Sequence, residues 1–276
     1  MFIHNINPIL AQIGPISIRY YGLVYALGFL FTYLYLLKKI KNKKIKLTID
    51  ELDSLLIYLI LGVIIGGRIG EFIFFQPTTL INNPLEIIYI WHGGMSFHGG
   101  LIGVLGALIL FSKKHKKQFY EILDNLLIPL SIVLIFGRLA NFINGELVGT
   151  ITTISWGVNF HNELNTLGER IYRHPSQIYE AIKNLILATT LILMSKLKIT
   201  KKYYDQKGFI TWTFMLIYGL GRTITDIWRD DGHWLFGIFS TGQLLSMIMT
   251  IIAIYVLITK YFKKKRKENN KKRKKN

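Results

Sequence analysis

Residues 52–75 read LDSLLIYLILGVIIGGRIGEFIFF, and residues 38–46 just upstream read KKIKNKKIK. An apolar run of about 20 residues has the length that crosses the hydrocarbon core of a bilayer as a helix. A dense lysine block beside it marks the end held in the cytoplasm. The same alternation runs along the chain, with further apolar blocks at 20–37, 97–112, 122–143, 176–195, 208–227 and 239–259. The expected fold is an all-α integral membrane protein: a bundle of about seven transmembrane helices forming one transmembrane domain over 1–276. A small external segment is expected at 147–173 and a basic cytoplasmic tail at 263–276. The first block is too long for a cleavable signal peptide, and no small-residue cleavage site follows it.

The net charge of +18 raises the question of nucleic acid, and placement answers it. Of the 34 basic residues, 26 fall in alternate connections, at 38–46, 113–117, 196–207 and 260–275. That is the pattern of the positive-inside rule, with the amino terminus outside and the carboxyl terminus cytoplasmic. The tail reads as a solvated anchor leaning on anionic membrane lipids, and no nucleic-acid partner is expected. The chain has no cysteine, so a disulfide or an internal thiolate nucleophile is excluded. Any thiol in its chemistry must come from a substrate. No tight group of His, Asp and Glu has metal-ligand spacing, so neither metal nor cofactor is expected.

Lysine and arginine divide the chain between them. In the cytoplasmic blocks 24 of the 26 basic residues are lysine. Outside them stand Arg19, Arg68, Arg138, Arg170, Arg173, Lys183, Arg222 and Arg229, seven of the eight being arginine. A lysine is a generic point charge, whereas a guanidinium is a planar fork that grips phosphate or carboxylate at two points. The embedded and external face is therefore built to hold an anion.

Charges within a span are functional suspects. Arg68 and Glu71, three apart, can pair on one helical face. Arg138 is followed at three-residue steps by Asn141 and Asn144, and Glu146 closes the run. Tyr218, Arg222, Asp226 and Arg229, at spacings of four, four and three, share one stripe at the end of the sixth block. Gly62, Gly66 and Gly70, like Gly99, Gly103 and Ala107, have the small-residue spacing that lets membrane helices approach closely. The stretch 76–94 reads as an external, partly interfacial connection carrying Trp91 and His92. Thr150, Thr152, Thr153, Ser155, Trp156, Val158 and Phe160 suggest a small β element in the longest external connection. A short external turn is expected at 230–239.

Several strings line up on the external side: Gly93-Gly94-Met95-Ser96-Phe97-His98-Gly99-Gly100, then 137–146 (GRLANFINGE), then His174-Pro175-Ser176-Gln177-Ile178-Tyr179-Glu180. Ile13-Gly14-Pro15 and Tyr21-Gly22-Leu23 precede them, and Tyr218-Gly219 with Arg222 and Arg229 follow. In this order, on this layout of spans, the chain resembles the prolipoprotein diacylglyceryl transferase family over nearly its whole length. The resemblance implies an enzyme of the bacterial inner membrane whose reaction centre faces the external leaflet. It implies two substrates, phosphatidylglycerol and a prolipoprotein whose signal peptide carries a lipobox cysteine. The product is a thioether between that cysteine and diacylglycerol, with glycerol phosphate released, before signal-peptide cleavage. The family's motif arginine falls on Arg138, with its asparagine and acid on Asn141 and Glu146. Its other important arginine falls on Arg222, its histidine on His98 and its early tyrosine on Tyr21. Two departures stand out: aspartate at 226, where the family commonly has glutamate, and a short region between Glu146 and His174.

The reaction so implied poses two problems. The leaving phosphate gains charge as the C–O bond breaks, and fixed cations answer that; Arg138 and Arg222 are the candidates. The thiol must lose a proton, and His98 has a suitable reference pKa, with Tyr21 or a carboxylate as alternatives. Asn141, Asn144 and Glu146 would orient Arg138 and the head group, Tyr218 and Asp226 would orient Arg222, and Gln177 and Glu180 would line the site from the fifth block. His4, His115 and His161 carry no functional expectation. An anion transporter and another phosphatidylglycerol-using head-group transferase would use intramembrane arginines equally well. The transporter lacks a visible inverted repeat, and only the joined motifs separate the second rival.

Overall fold

The computed structural model describes residues 1–14, 16–230, 234–235 and 239–263. The tail expected at 263–276, past Lys263, and most of the turn expected at 230–239 lie outside the described residues. Strands β1 (Phe2–Ile3), β2 (Ile9–Ile13) and β3 (Ile16–Arg19) precede helices α1 (Tyr20–Lys41), α2 (Ile49–Phe74), α3 (Pro77–Asn82), α4 (Phe97–Lys114) and α5 (Phe119–Asn144). Strand β4 (Val158–Asn159) follows, then α6 (Ser176–Lys196), α7 (Lys198–Tyr204), α8 (Phe209–Thr225) and α9 (Thr241–Val256), which runs on as a π-helical turn to Lys263.

Every apolar block expected from the sequence contains a helix. Among the described residues, α1, α2, α5, α6 and Gly242–Lys263 are each long and apolar enough to cross a membrane. The protein is thus a mostly helical, multi-pass membrane protein. Helices α4 and α8 have 18 and 17 residues, which at about 1.5 Å per residue gives roughly 26 Å. Local chemistry sets the helix starts. Thr48 caps α2 in a capping box with Glu51, and Ser240 caps α9 the same way with Gln243. The Ser96 side chain accepts from the Gly99 N–H at the start of α4. Leu27, Leu30 and Leu34 stay exposed along α1, an apolar face suited to the hydrocarbon of a bilayer.

The chain forms two compact units, Phe31–Asn125 and Met1–Leu30 with Leu126–Asn276. In the first, α2 packs on α4 through the glycine stripes. A Cβ built on Gly62 would meet the Gly103 carbonyl oxygen at 2.8 Å and the Ala107 Cβ at 2.9 Å. One built on Gly70 would stand 3.2 Å from the Ser96 Cβ and press on the Gly99 backbone. The small residues therefore serve backbone-to-backbone packing. Arg68 and Glu71 do not behave as the expected ion pair. The Arg68 guanidinium donates to the backbone carbonyls of Glu86 (2.5 Å), Ile87 (3.1 Å), Tyr89 (3.1 Å) and Gly94 (3.0 Å), and also to that of Gly93. Glu71 accepts from the Gln76 amide at 3.2 Å. The Glu86 and Tyr89 carbonyls also accept from the N–H groups of Tyr89 and His92, and the buried guanidinium, with five donors, uses their second lone pairs together with the carbonyls of Ile87, Gly93 and Gly94. Arg68 is a clamp on the 76–94 connection.

In the other unit, α8 packs on both α6 and α9. The segment after α5 does contain β structure. Strand β4 pairs in parallel with β1 at the amino terminus, and Ile151 and Val158 bridge Arg173. His4 closes this element: its ring packs on Phe142 and Phe160, and its Nε2 lies 2.7 Å from the Phe142 carbonyl. His161 is likewise tied to the Gly145 carbonyl, at 2.8 Å. Two helix ends bear on the site, and at the first the expected stripe is corrected. Helix α8 stops at Thr225, and a 3-10 turn over Asp226–Trp228 leaves Arg229 extended (φ −97°, ψ 139°) and bridged to Gly149, off the stripe of Tyr218 and Arg222. Pro175 is the N-cap of α6, with ψ 68°, and lies just outside the first helical position.

Candidate functional site

Glu180 lies one turn into α6, on a face that the bundle covers almost completely. Three cations meet its carboxylate. Arg138, near the end of α5, brings its Nε to 3.5 Å from Oε2, and the Lys183 Nζ lies 2.7 Å from the same oxygen. Arg222, in the last turn of α8, places Nη1 3.1 Å from Oε1, and the Thr225 hydroxyl donates to Oε1 as well. A buried carboxylate is costly unless paired and hydrogen-bonded, and here both oxygens are.

Each arginine is held from a second side. Arg222 also places Nη2 2.7 Å from Asp226 Oδ1. The Ser240 hydroxyl donates to Asp226 Oδ2, so the cap of α9 and the end of α8 are joined through one acid. Gly242 makes room: a Cβ there would sit 3.1 Å from Asp226 Oδ2 and 3.3 Å from Arg222 Nη2. Arg138 Nη1 lies 3.4 Å from Asn141 Oδ1. The Asn141 amide donates to Glu146 Oε1 at 2.7 Å, and Asn144 donates to the same oxygen at 3.3 Å. Gln177 donates to the Glu146 backbone carbonyl at 2.6 Å. The buried Oε1 of Gln177 and Oδ1 of Asn144 have no protein partner among the described residues. Tyr218, one turn before Arg222, presents its ring to the Lys183 ammonium at 4.0 Å.

Arg138, Asn141, Asn144, Glu146, Gln177, Tyr218, Arg222 and Asp226 thus belong to one connected network. Tyr21, at the start of α1, lies within electrostatic range of Arg138 and Glu146, and its hydroxyl is 3.2 Å from that of Tyr25. Arg229 lies beyond the end of α8, where its backbone bridges Gly149. His98 occupies the first turn of α4 in the unit Phe31–Asn125 and is exposed. Sequence reasoning gave Glu180 only a lining role and gave Lys183 none. Their signal was present: Lys183 is the one lysine outside the basic blocks, three residues after an acid on the same helix.

Outside the spans, Arg173 grips Glu163 at 2.7 and 2.8 Å and reaches Asp230 at 2.9 Å. The guanidinium holds the Glu163 carboxyl below its ordinary range, and burial lowers His174 below its own.

A family model described as prolipoprotein diacylglyceryl transferase matches residues 8–259. The phosphatidylglycerol–prolipoprotein diacylglyceryl transferase of Wolbachia pipientis subsp. Culex pipiens (strain wPip) is 38% identical over 259 residues, covering 91% of this chain and 94% of that relative. The protein of the same name from Rickettsia bellii (strain OSU 85-389) is 37% identical over 258 residues, 92% and 95% of the two chains. That from Ehrlichia ruminantium (strain Gardel) is 37% identical over 257 residues, 92% and 96%.

Proposed function

The chain belongs to the prolipoprotein diacylglyceryl transferase family, and on that premise we propose how its residues carry the transfer. It moves the diacylglyceryl group of phosphatidylglycerol to the thiol of a prolipoprotein's lipobox cysteine, the first step of bacterial lipoprotein maturation. The thiol gives up its proton, the sulfur forms a bond to the terminal glyceryl carbon, and the C–O bond to phosphate breaks. Glycerol phosphate leaves with the electron pair, and a thioether remains. The protein itself has no cysteine, so the sulfur comes from the second substrate.

The observation that carries this reading is the convergence of Arg138 and Arg222, from two different helices, on Glu180. A carboxylate shared between two guanidiniums holds them at a fixed spacing before substrate arrives, so little reorganisation is needed when charge develops on the phosphate. Arg138 and Arg222 receive the phosphodiester. Asn144 and Gln177, each with an unpartnered buried oxygen, accept from the hydroxyls of the glycerol head group. Asn141 and Glu146 orient Arg138, and Asp226 orients Arg222. His98 takes the thiol proton, with Tyr21 as the alternative acceptor. Arg229 serves from outside the helical stripe.

The same reading makes α4 and α8 the sixth and seventh spans of one domain in the bacterial inner membrane. It places the amino terminus outside, the basic tail in the cytoplasm, and the site near the outer leaflet. The segment 147–173 then faces the prolipoprotein. Purified protein in vesicles with head-group- and acyl-labelled phosphatidylglycerol and a lipobox peptide tests the proposal. Acyl label should move to peptide while head-group label appears as glycerol phosphate. Acyl label on another lipid, or on nothing, would overturn it.

A further inference from the structure

Lys183 is buried against the site, and the transfer as described uses neither its charge nor its donors. Its placement is tightly specified. The aliphatic stem crosses Gly221 of α8, where a Cβ would collide with Cγ and lie 2.7 Å from Cδ. The ammonium sits over the Tyr218 ring and 2.7 Å from Glu180 Oε2. The pair is three residues apart on one helix, so it persists wherever α6 goes.

The two contacts on Oε2 are unequal. Lys183 is at hydrogen-bonding distance, whereas Arg138 stands off at 3.5 Å. The other oxygen is already occupied by Arg222 and Thr225. An ionised carboxylate has about four acceptor positions, and a buried one that loses a donor draws in the nearest cation. On Oε2 that cation is Arg138, and a donor that the guanidinium turns to Glu180 is one it no longer offers to a phosphate. We infer that Lys183 is a positioning residue for Arg138: its ammonium occupies the Glu180 oxygen on which Arg138 would otherwise close, and so leaves the Arg138 fork open to a lipid phosphate. This rests on the transferase reading, to which it adds the device that stops the site's own acid from competing with substrate.

The test uses the full chain in vesicles of phosphatidylglycerol with a labelled lipobox peptide, comparing wild type, K183M, K183R, E180Q and the double variant K183M/E180Q. Methionine keeps most of the length of the side chain and removes the charge. K183M should lower kcat/KM for phosphatidylglycerol at least tenfold without lowering the thermal midpoint, and K183R should recover most of the loss. E180Q is itself less active, because the acid that spaces the two arginines is gone, and it is the reference for the double variant. With no ionised acid for Arg138 to close on, adding K183M to E180Q should cost less than about threefold. A merely structural lysine would cost as much on E180Q as on wild type. K183Q runs beside K183M and reads the same effect if the methionine variant does not fold. A K183M enzyme at wild-type rate, or a K183M loss as large on E180Q as on wild type, overturns the role of Lys183. A wild type that labels no peptide overturns instead the transferase reading beneath it.

Discussion

Arg138 and Arg222 stand on opposite oxygens of one buried carboxylate, at 3.5 Å from Oε2 and 3.1 Å from Oε1 of Glu180. They come from helices that are far apart in sequence and share neither a turn nor a cap. One acid on a third helix sets the distance between them. That arrangement favours a small anion bridging two guanidiniums over a diffuse positive surface, and it makes the geometry of the fork as important as its charge.

Replacing either arginine by lysine keeps the charge and loses that geometry. Arg222 uses Nη1 on Glu180 and Nη2 on Asp226 at once, which a single ammonium cannot reproduce. Arg222→Lys should slow peptide labelling about 100-fold, the scale for losing one donor to a developing oxyanion. Arg138→Lys should likewise fail to restore full activity. Both are read as initial rates at saturating peptide, alongside the thermal midpoint. Wild-type rates in either variant would show that positive charge alone suffices.

How much of this was legible in the sequence follows from where each interaction is encoded. The helices were, because apolar run length and the Thr48/Glu51 and Ser240/Gln243 boxes are local. So was the glycine packing, because only a missing Cβ permits it. The partners of Arg68 were not, since a carbonyl oxygen looks the same under any side chain, and the pairing with Glu71 suggested by spacing lost to five carbonyls. The pairing of β1 with β4 spans more than 150 residues and leaves no local trace. The stripe through Arg229 failed because α8 ends at Thr225, and no glycine or proline marks that end. Both arginines of the site were legible from the contrast with the lysine blocks. The carboxylate that joins them was less so, because one glutamate in an apolar helix reveals its role only when neighbouring helices arrive.

The Glu163–Arg173 pair ties the two sides of the segment 147–173 together, and its pH dependence has a definite sign. The Glu163 carboxyl is held below its ordinary value of 4.5 by the Arg173 guanidinium. A carboxylate with a depressed folded-state pKa contributes stability that is present above the ordinary value and is lost as pH falls through the depressed one. Amide exchange over 147–173 should therefore be flat from neutral pH down to about 5 and quicken below 4.5, after correction for intrinsic rates. Glu163→Gln should exchange faster at neutral pH and lose that acid step. An unchanged acid step in the glutamine variant would assign the effect to another group.

Two glycines of α4, Gly103 and Gly106, separate packing from propensity. Changing glycine to alanine inside a helix gains about 1 kcal/mol of intrinsic propensity at either position. At Gly106 a Cβ meets nothing within 4 Å. Gly106→Ala should therefore be neutral or raise the thermal midpoint. At Gly103 the new methyl would collide with the Gly62 carbonyl oxygen and lie 2.9 Å from the Gly66 Cα, and both are backbone atoms that cannot rotate away. Overpacking of that kind costs about 1–3 kcal/mol, enough to cancel the propensity gain and reverse its sign. Gly103→Ala should lower the midpoint measured in detergent or nanodiscs, with the opposite direction at Gly106 serving as the internal control. The same direction at both positions would mean that α2 and α4 are not in backbone contact at this stripe. The α2–α4 pair would then owe its closeness to side chains.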